Sequence, residues 1–274
     1  MSGPRNSLAK TLIDEEVMAM GSTTPESEDI TFKVDSSVAY VGLARNKNKN
    51  ALTVKMITRL TQIAEELSGN RAVRCVILHG KLDAFSAGID LKDPQRWDLE
   101  NLDAMGIRRL SQLGPTMCRI WENLPQITIA AIEGFNVGAG IALTLACDFR
   151  VQARNAFLSI PEIQIGVPLG WQSIPRLIRL IGPSRTKQAL LLGERLSAAT
   201  AHEWGLVDFL VESGDAFSKA EEIAKKISAM PPFAVVTAKE SINAISNALN
   251  HVGSFMDLDL STLAVVSGQM NRSI

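Results

Sequence analysis

Apolar and polar positions alternate from residue 30 onward. ITFKVD and then VAYVGLA place apolar side chains at close to every second position, and Asp35-Ser36-Ser37 separates them. A period of two suits strands with one buried face, so the pattern predicts a strand pair joined at those three residues. After the polar run RNKNKN the period lengthens, and Val54 to Leu67 reads as an amphipathic helix. CVILHG is apolar until its last two positions and ends at Gly80, which predicts a buried strand. Helical spacing returns over 102–124 and is stopped by Pro125. ITIAAIEG then gives a second buried strand, Gly138 to Cys147 a further helix, and DFRVQA another strand.

Strand, loop, helix, strand thus recurs three times with no repeat of residues, the signature of an α/β protein. Beyond Val211 the strand pattern stops. GDAFSKAEEIAKKISAM, PPFAVVTAKESINAISNALN and SFMDLDLSTLAVVSGQM all carry helical spacing. The expected organisation is a tail over 1–28, with a short helix from Leu8 to Met20, a core over 29–211 and a helical unit over 212–274. Apolar faces on appended helices commonly pack on another subunit.

Composition narrows the function classes. A chain of 274 residues with 46% hydrophobic and 21% charged residues and a formal charge of −1 is an ordinary globular protein. It has no basic excess for a phosphate backbone, so nucleic acid is not an expected partner. No run is long and apolar enough to predict a membrane span. Cys75, Cys118 and Cys147 stand singly in apolar runs, and the three histidines are far apart. Neither a disulfide framework nor a metal site is expected, and the acidic first 28 residues lack the pattern of a targeting leader. The expected location is cytoplasmic.

Three segments can carry chemistry. In DAFSAGIDLKD, the small residues Ser86, Ala87 and Gly88 allow the backbone to approach a ligand and expose the N–H of Ile89; the same residues suit a tight turn. In EGFNVGAGIAL, a helix beginning near Gly138 leaves its first N–H groups unpaired, and Gly138 and Gly140 leave room for an oxygen to reach the N–H of Ala139. Close helix packing is the plainer reading of those glycines. In LSIPEIQIGVPLGW, Glu162 is a lone carboxylate in an apolar stretch without Lys, Arg or His, where burial disfavours its charge and makes it a usable base near neutral pH; an exposed turn glutamate is the plainer reading.

Taken together, these segments resemble the crotonase, or enoyl-CoA hydratase/isomerase, superfamily. Arg45-Asn46-Lys47 with Asn50-Ala51-Leu52, then FSAGIDLK, AAIEGFNVGAGIALTLACDFRVQA and IPEIQIGVPLG, occur in the family's order between about Ile30 and Met270. The resemblance implies a spiral of strand-strand-helix turns with a C-terminal helical unit that builds a homotrimer or homohexamer. It implies an acyl-CoA substrate, with coenzyme A as part of that substrate and no further cofactor. The thioester oxygen is expected between the N–H groups of Ile89 and Ala139. Arg45, Lys47, Ala87, Gly88, Asp90, Leu91, Lys92, Gly138 and Trp171 are the residues the resemblance places near substrate or coenzyme A.

Family hydratases use two glutamates. The first corresponds to Ala142 here and the second to Glu162. The resemblance therefore implies an isomerase of fatty acid metabolism that moves a 3-enoyl-CoA double bond to the 2-position with one base. The alternatives are a hydratase-like or other crotonase reaction, with His79 or Ser86 enlisted for hydrolysis, and a non-catalytic acyl-CoA-binding protein. Glu133 before a turn glycine, Asp148 leading into a strand and Asp90 as a helix cap are expected to be structural, and Trp121 and Trp204 are expected to pack.

Overall fold

The computed structural model describes residues 29–80, 83–100 and 102–268. The expected tail, with its helix from Leu8 to Met20, lies outside them. Strand β1 (Ile30–Asp35) pairs antiparallel with β2 (Val38–Leu43) in the register Ile30 to Leu43, and the turn is closed by Ser36 at φ 53°. From β2 onward the sheet is parallel: β3 (Cys75–Gly80), β4 (Ile127–Ile132), β6 (Phe149–Ala153) and β9 (Phe209–Val211) follow in the order β1-β2-β3-β4-β6-β9. Every residue of β4 is buried, as its unbroken apolar run ITIAAI requires for a strand covered on both faces.

Helix α1 (Val54–Ser68) starts where the side chain of Thr53 accepts a hydrogen bond from the N–H of Met56. Its buried face is Met56, Ile57, Leu60, Ile63, Ala64 and Leu67, spaced at three and four residues. Each large side chain on that face stabilises the fold by roughly 1.5–3 kcal/mol through burial. A short helix, α2 (Pro94–Trp97), is capped by Asp93, and the long α3 (Ala104–Glu122) follows. The latter begins two residues later than its periodicity predicts, because Asp103 caps the N–H of Gly106 at 2.7 Å. Trp121 of α3 is fully buried and donates through Nε1 to Leu60 O, joining α3 to α1, so it packs as expected.

A second, smaller sheet was not legible as alternation. It consists of β5 (Phe135–Val137), β7 (Phe157–Ser159) and β8 (Leu196–Ser197) in the order β5-β7-β8. β5 runs parallel to β7, with Val137 opposite Ser159. Helix α4 (Ala139–Leu145) springs directly from β5. Helix α5 (Ser173–Leu191), broken at Gly182, and α6 (Ala198–Glu203) surround the second apolar cluster.

Each of the three C-terminal segments carries a helix: α7 (Ala216–Ser228), α8 (Pro232–Ser246) and α10 (Asp257–Val266), with the short α9 (Asn250–Gly253) between the last two. α7 covers the sheet, burying Ala216, Ala220, Ile223 and Ala224 against Cys75, Ile77 and Ile129. The helices after it differ, presenting Phe233, Ile245, Leu249 and Phe255 to solvent. α8 is anchored by Lys239, whose ammonium donates to Gln126 O at 2.8 Å and to Asp148 Oδ2 at 2.6 Å. α10 lies along α3, where Arg108 pairs with Asp259. Among the described residues, no helix is long and apolar enough to cross a membrane.

Candidate active site

Two loops and one helix end meet above the second sheet. The loop after β3 is held on one side by the polar segment before α1. Leu52 N donates to Gly88 O at 2.7 Å, and Asp90 N donates to Leu52 O at 2.9 Å. In an extended segment consecutive N–H groups point to opposite sides, so the N–H of Ile89 is directed away from Leu52. On its other side the loop pairs with β5, where Val137 N donates to Ser86 O. This brings Gly88 onto the start of α4. Gly88 has φ +91°, and a Cβ there would lie 3.0 Å from Val137 O and 3.6 Å from Ala139 N. Among the described residues, neither the N–H of Ile89 nor that of Ala139 finds a protein acceptor. Gly140 follows the packing reading, since a Cβ there would run into the side chains of Asn136 and Ser86.

The carboxylate arrives through β7. Its register sets Ser159 beside Val137, and Gly138 N donates to Ser159 O at 3.0 Å, so the turn that follows β7 is delivered to the start of α4. Ile165 N and Val167 N both donate to Glu162 O and fix that turn. The side chain of Glu162 lies against Gly138, and its Oε2 is shut off from solvent with no hydrogen-bond partner. Burial pushes the carboxyl up from the ordinary range to about 7, partly offset by a backbone hydrogen bond. A group with that affinity for protons can accept one and return it at neutral pH.

Glu162, Ile89 and Ala139 border one cavity of about 280 Å³. Ala87, Gly88, Leu91, Gly138, Ala142 and Trp171 line it too, as do Ser261 and Val265 of α10. Four other residues expected at the ligand do not line it. Lys47 and Lys92 are exposed. Arg45 and Asp90 form a 2.6 Å ion pair, and Arg45 Nη1 also donates to Ala51 O. That pair ties together the two segments flanking Ile89. Asp90 accepts from Lys92 N, while the capping role anticipated for it belongs to Asp93.

A match to the enoyl-CoA hydratase/isomerase family model spans residues 33–264. The chain belongs to that family. It is 37% identical to the enoyl-CoA hydratase/isomerase homologue YngF of Bacillus subtilis over 218 residues, covering 79% of this chain and 82% of that protein. It is 31% identical to a short-chain-enoyl-CoA hydratase of Clostridium acetobutylicum, covering 80% of this chain and 82% of the relative. The crystal structure of an enoyl-CoA hydratase from Bacillus anthracis superposes with a TM-score of 0.74 at 34% identity, covering 88% of this chain and 92% of that one. The mixed α/β spiral is therefore the crotonase fold, as the motifs implied.

Within this family frame the remaining acids have structural duties. Glu133 accepts from Gly214 N and from Ala216 N at the start of α7. Asp148 accepts from the N–H and hydroxyl of Thr128 and from Lys239. Ser86 is buried, donating to Asn50 O while receiving the N–H of Gly88, so it serves the turn. His79 is the penultimate residue of β3, edge-on to Phe217. Trp204 packs beside the second cluster under Arg185. Ala142, where the family hydratases carry their first glutamate, is buried at the cavity wall. Among the described residues, Glu162 is thus the only carboxylate lining the cavity. Sequence reasoning missed Arg96 and Trp97, which also line it; PQRW is one turn long and shows no periodicity to single them out.

Proposed function

We propose that the protein is a 3-enoyl-CoA to 2-enoyl-CoA isomerase that uses Glu162 as its only base. The observation that carries this reading is the pairing of a buried, proton-avid Glu162 with the apolar Ala142 in one cavity. The N–H groups of Ile89 and Ala139 receive the thioester oxygen, and negative charge grows on that oxygen as the reaction proceeds. One such donor contributes on the order of 3 kcal/mol to the transition state. Glu162 removes a proton from C2 of the 3-enoyl thioester, the electron pair moves through C1 onto the thioester oxygen to give a dienolate conjugated with the C3–C4 double bond, and as the pair returns from the oxygen Glu162 delivers the proton to C4. The double bond then lies between C2 and C3, with no water consumed.

Hydration is the second reading, favoured by relatives that carry the name hydratase at 31% identity. It requires one group to deprotonate water while a proton is delivered to C2, and Ala142 can supply neither. Ultraviolet absorbance separates the two. With a 3-enoyl-CoA, growth of the conjugated thioester in the native protein and its loss in Glu162→Gln is expected. No growth with a 3-enoyl-CoA, together with loss of absorbance from a 2-enoyl-CoA, transfers the assignment to hydration. Binding of both esters without turnover of either leaves an acyl-CoA-binding protein.

A further inference from the structure

Arg96 is the one cation among the described residues that line the cavity, and the isomerisation has no use for it. It lies on α2, one residue before Trp97, with its guanidinium carbon 5.3 Å from the centre of the Trp97 ring. Its Nε is sealed from solvent and has no hydrogen-bond partner. Asp93, which caps the same helix, is already engaged: Oδ1 accepts from Gln95 N and Oδ2 from Val54 N. Burial lowers the guanidinium's affinity for its proton, and Asp93 opposes this. Glu162 is no partner either: its buried Oε2, like the Nε of Arg96, has no hydrogen-bond partner.

A hydrocarbon chain packed into this cavity would cover the half-buried Arg96 further and leave its Nε unpaired, with only the Trp97 ring and the already engaged Asp93 to offset the charge. Such a group is costly in an apolar pocket unless a ligand completes it. Guanidinium presents a planar fork of donors that matches a carboxylate in two parallel hydrogen bonds. The thioester end of the ligand is fixed at Ile89 and Ala139, so the group that meets Arg96 is carried further along the acyl chain. The volume, about 280 Å³, is at the small end for ligand cavities and suits a short chain.

We propose that the preferred substrate is a short acyl-CoA whose acyl chain ends in a carboxylate, and that Arg96 receives that carboxylate. This rests on the reading of the cavity as a thioester site but not on isomerisation. The same guanidinium could instead meet a phosphate of coenzyme A, and the test separates the two sources.

The test is calorimetric binding of glutaryl-CoA and valeryl-CoA to the full chain. These esters have equal acyl length, differ in the terminal carboxylate, and cannot isomerise. The native protein is expected to bind glutaryl-CoA at least about 10-fold more tightly, and Arg96→Met is expected to cut the ratio of the two affinities by roughly 100-fold. Arg96→Lys, which keeps the charge but loses the fork, is expected to give an intermediate ratio and serves if the methionine variant does not fold. Equal or tighter binding of valeryl-CoA by the native protein overturns the proposal. So does a variant that weakens both esters by the same factor, the result expected of a phosphate contact. If neither ester binds, the thioester reading itself fails and takes this proposal with it.

Discussion

Gly138 and Glu162 are in contact at the floor of the cavity: a Cβ built on Gly138 would lie 2.7 Å from Glu162 Oε1. Gly138 also has φ +51° with ψ −116°, a sparsely populated combination outside the left-handed helical region that costs other residues about 1–3 kcal/mol. Gly138→Ala is therefore expected to displace the carboxylate as well as strain the backbone. Turnover should fall by about 100-fold or more, because a misplacement of about 1 Å is enough for that. Stability should fall by about 1–3 kcal/mol. Unchanged turnover in steady-state assays would mean the carboxylate works from a different position.

The raised proton affinity of Glu162 fixes the pH profile. The base form is the ionised one, so kcat/KM for a 3-enoyl-CoA is expected to rise with pH and level off above about 7. A plateau already complete at pH 5 would place the working group elsewhere.

The same shift acts on stability with a definite sign. Because the folded protein holds this proton more tightly than the unfolded chain, stability is expected to decline as pH rises from the ordinary carboxylate range, near 4.5, to about 7. The full loss is up to about 3 kcal/mol. Glu162→Gln removes the titration, so its denaturant midpoint should exceed that of the native protein at pH 8, and the gap should close at pH 4.5. A native midpoint that is flat across this interval would contradict the burial argument.

Beneath Trp171 lies a buried ion pair. Arg176 donates to both oxygens of Glu122, at 3.0 and 2.7 Å, with the two side chains 0% and 8% exposed, and Arg176 Nη1 also donates to Trp171 O at 2.7 Å. Trp171 and Gln172 both have φ 59°, so this short stretch depends on such support. Removing one partner strands a buried charge, which costs about 3–5 kcal/mol. Glu122→Ala should lower the unfolding free energy by that amount in chemical denaturation. A change below about 1 kcal/mol would show that the pair is solvated in solution.

Much of this arrangement was legible in the sequence, for reasons that differ between elements. α1 and the strands CVILHG and ITIAAI are long enough for their period to identify them, and their buried faces follow it. Ile89, Ala139 and Glu162 were reached through motifs, and β5 with its neighbours assembles them around one cavity. β5 and β7 span three residues each and offer too few positions for alternation to register. Arg45 and Asp90 were expected at the ligand, yet their opposite charges pair across two segments, a contact that local pattern cannot reveal. Arg96 escaped notice because its significance depends on a sealed Nε without a hydrogen-bond partner, which only three-dimensional placement discloses.

Ala142 offers the sharpest test of why one acid defines the chemistry. It is 2% exposed and lines the cavity together with Glu162. A glutamate introduced there brings a second carboxyl into the same apolar space, and two such groups cannot both ionise easily. Ala142→Glu is therefore expected to lower stability by a few kcal/mol at pH 8 and to move the rise of the isomerase profile above pH 7. It is also expected to introduce hydration of a 2-enoyl-CoA, since one carboxyl can then hold and deprotonate water while the other delivers a proton to C2. Chromatographic detection of the 3-hydroxyacyl-CoA checks the last point. Product from the variant alone would establish that the missing acid restrains this cavity to isomerisation, whereas equal product from the native protein would show that Glu162 hydrates unaided.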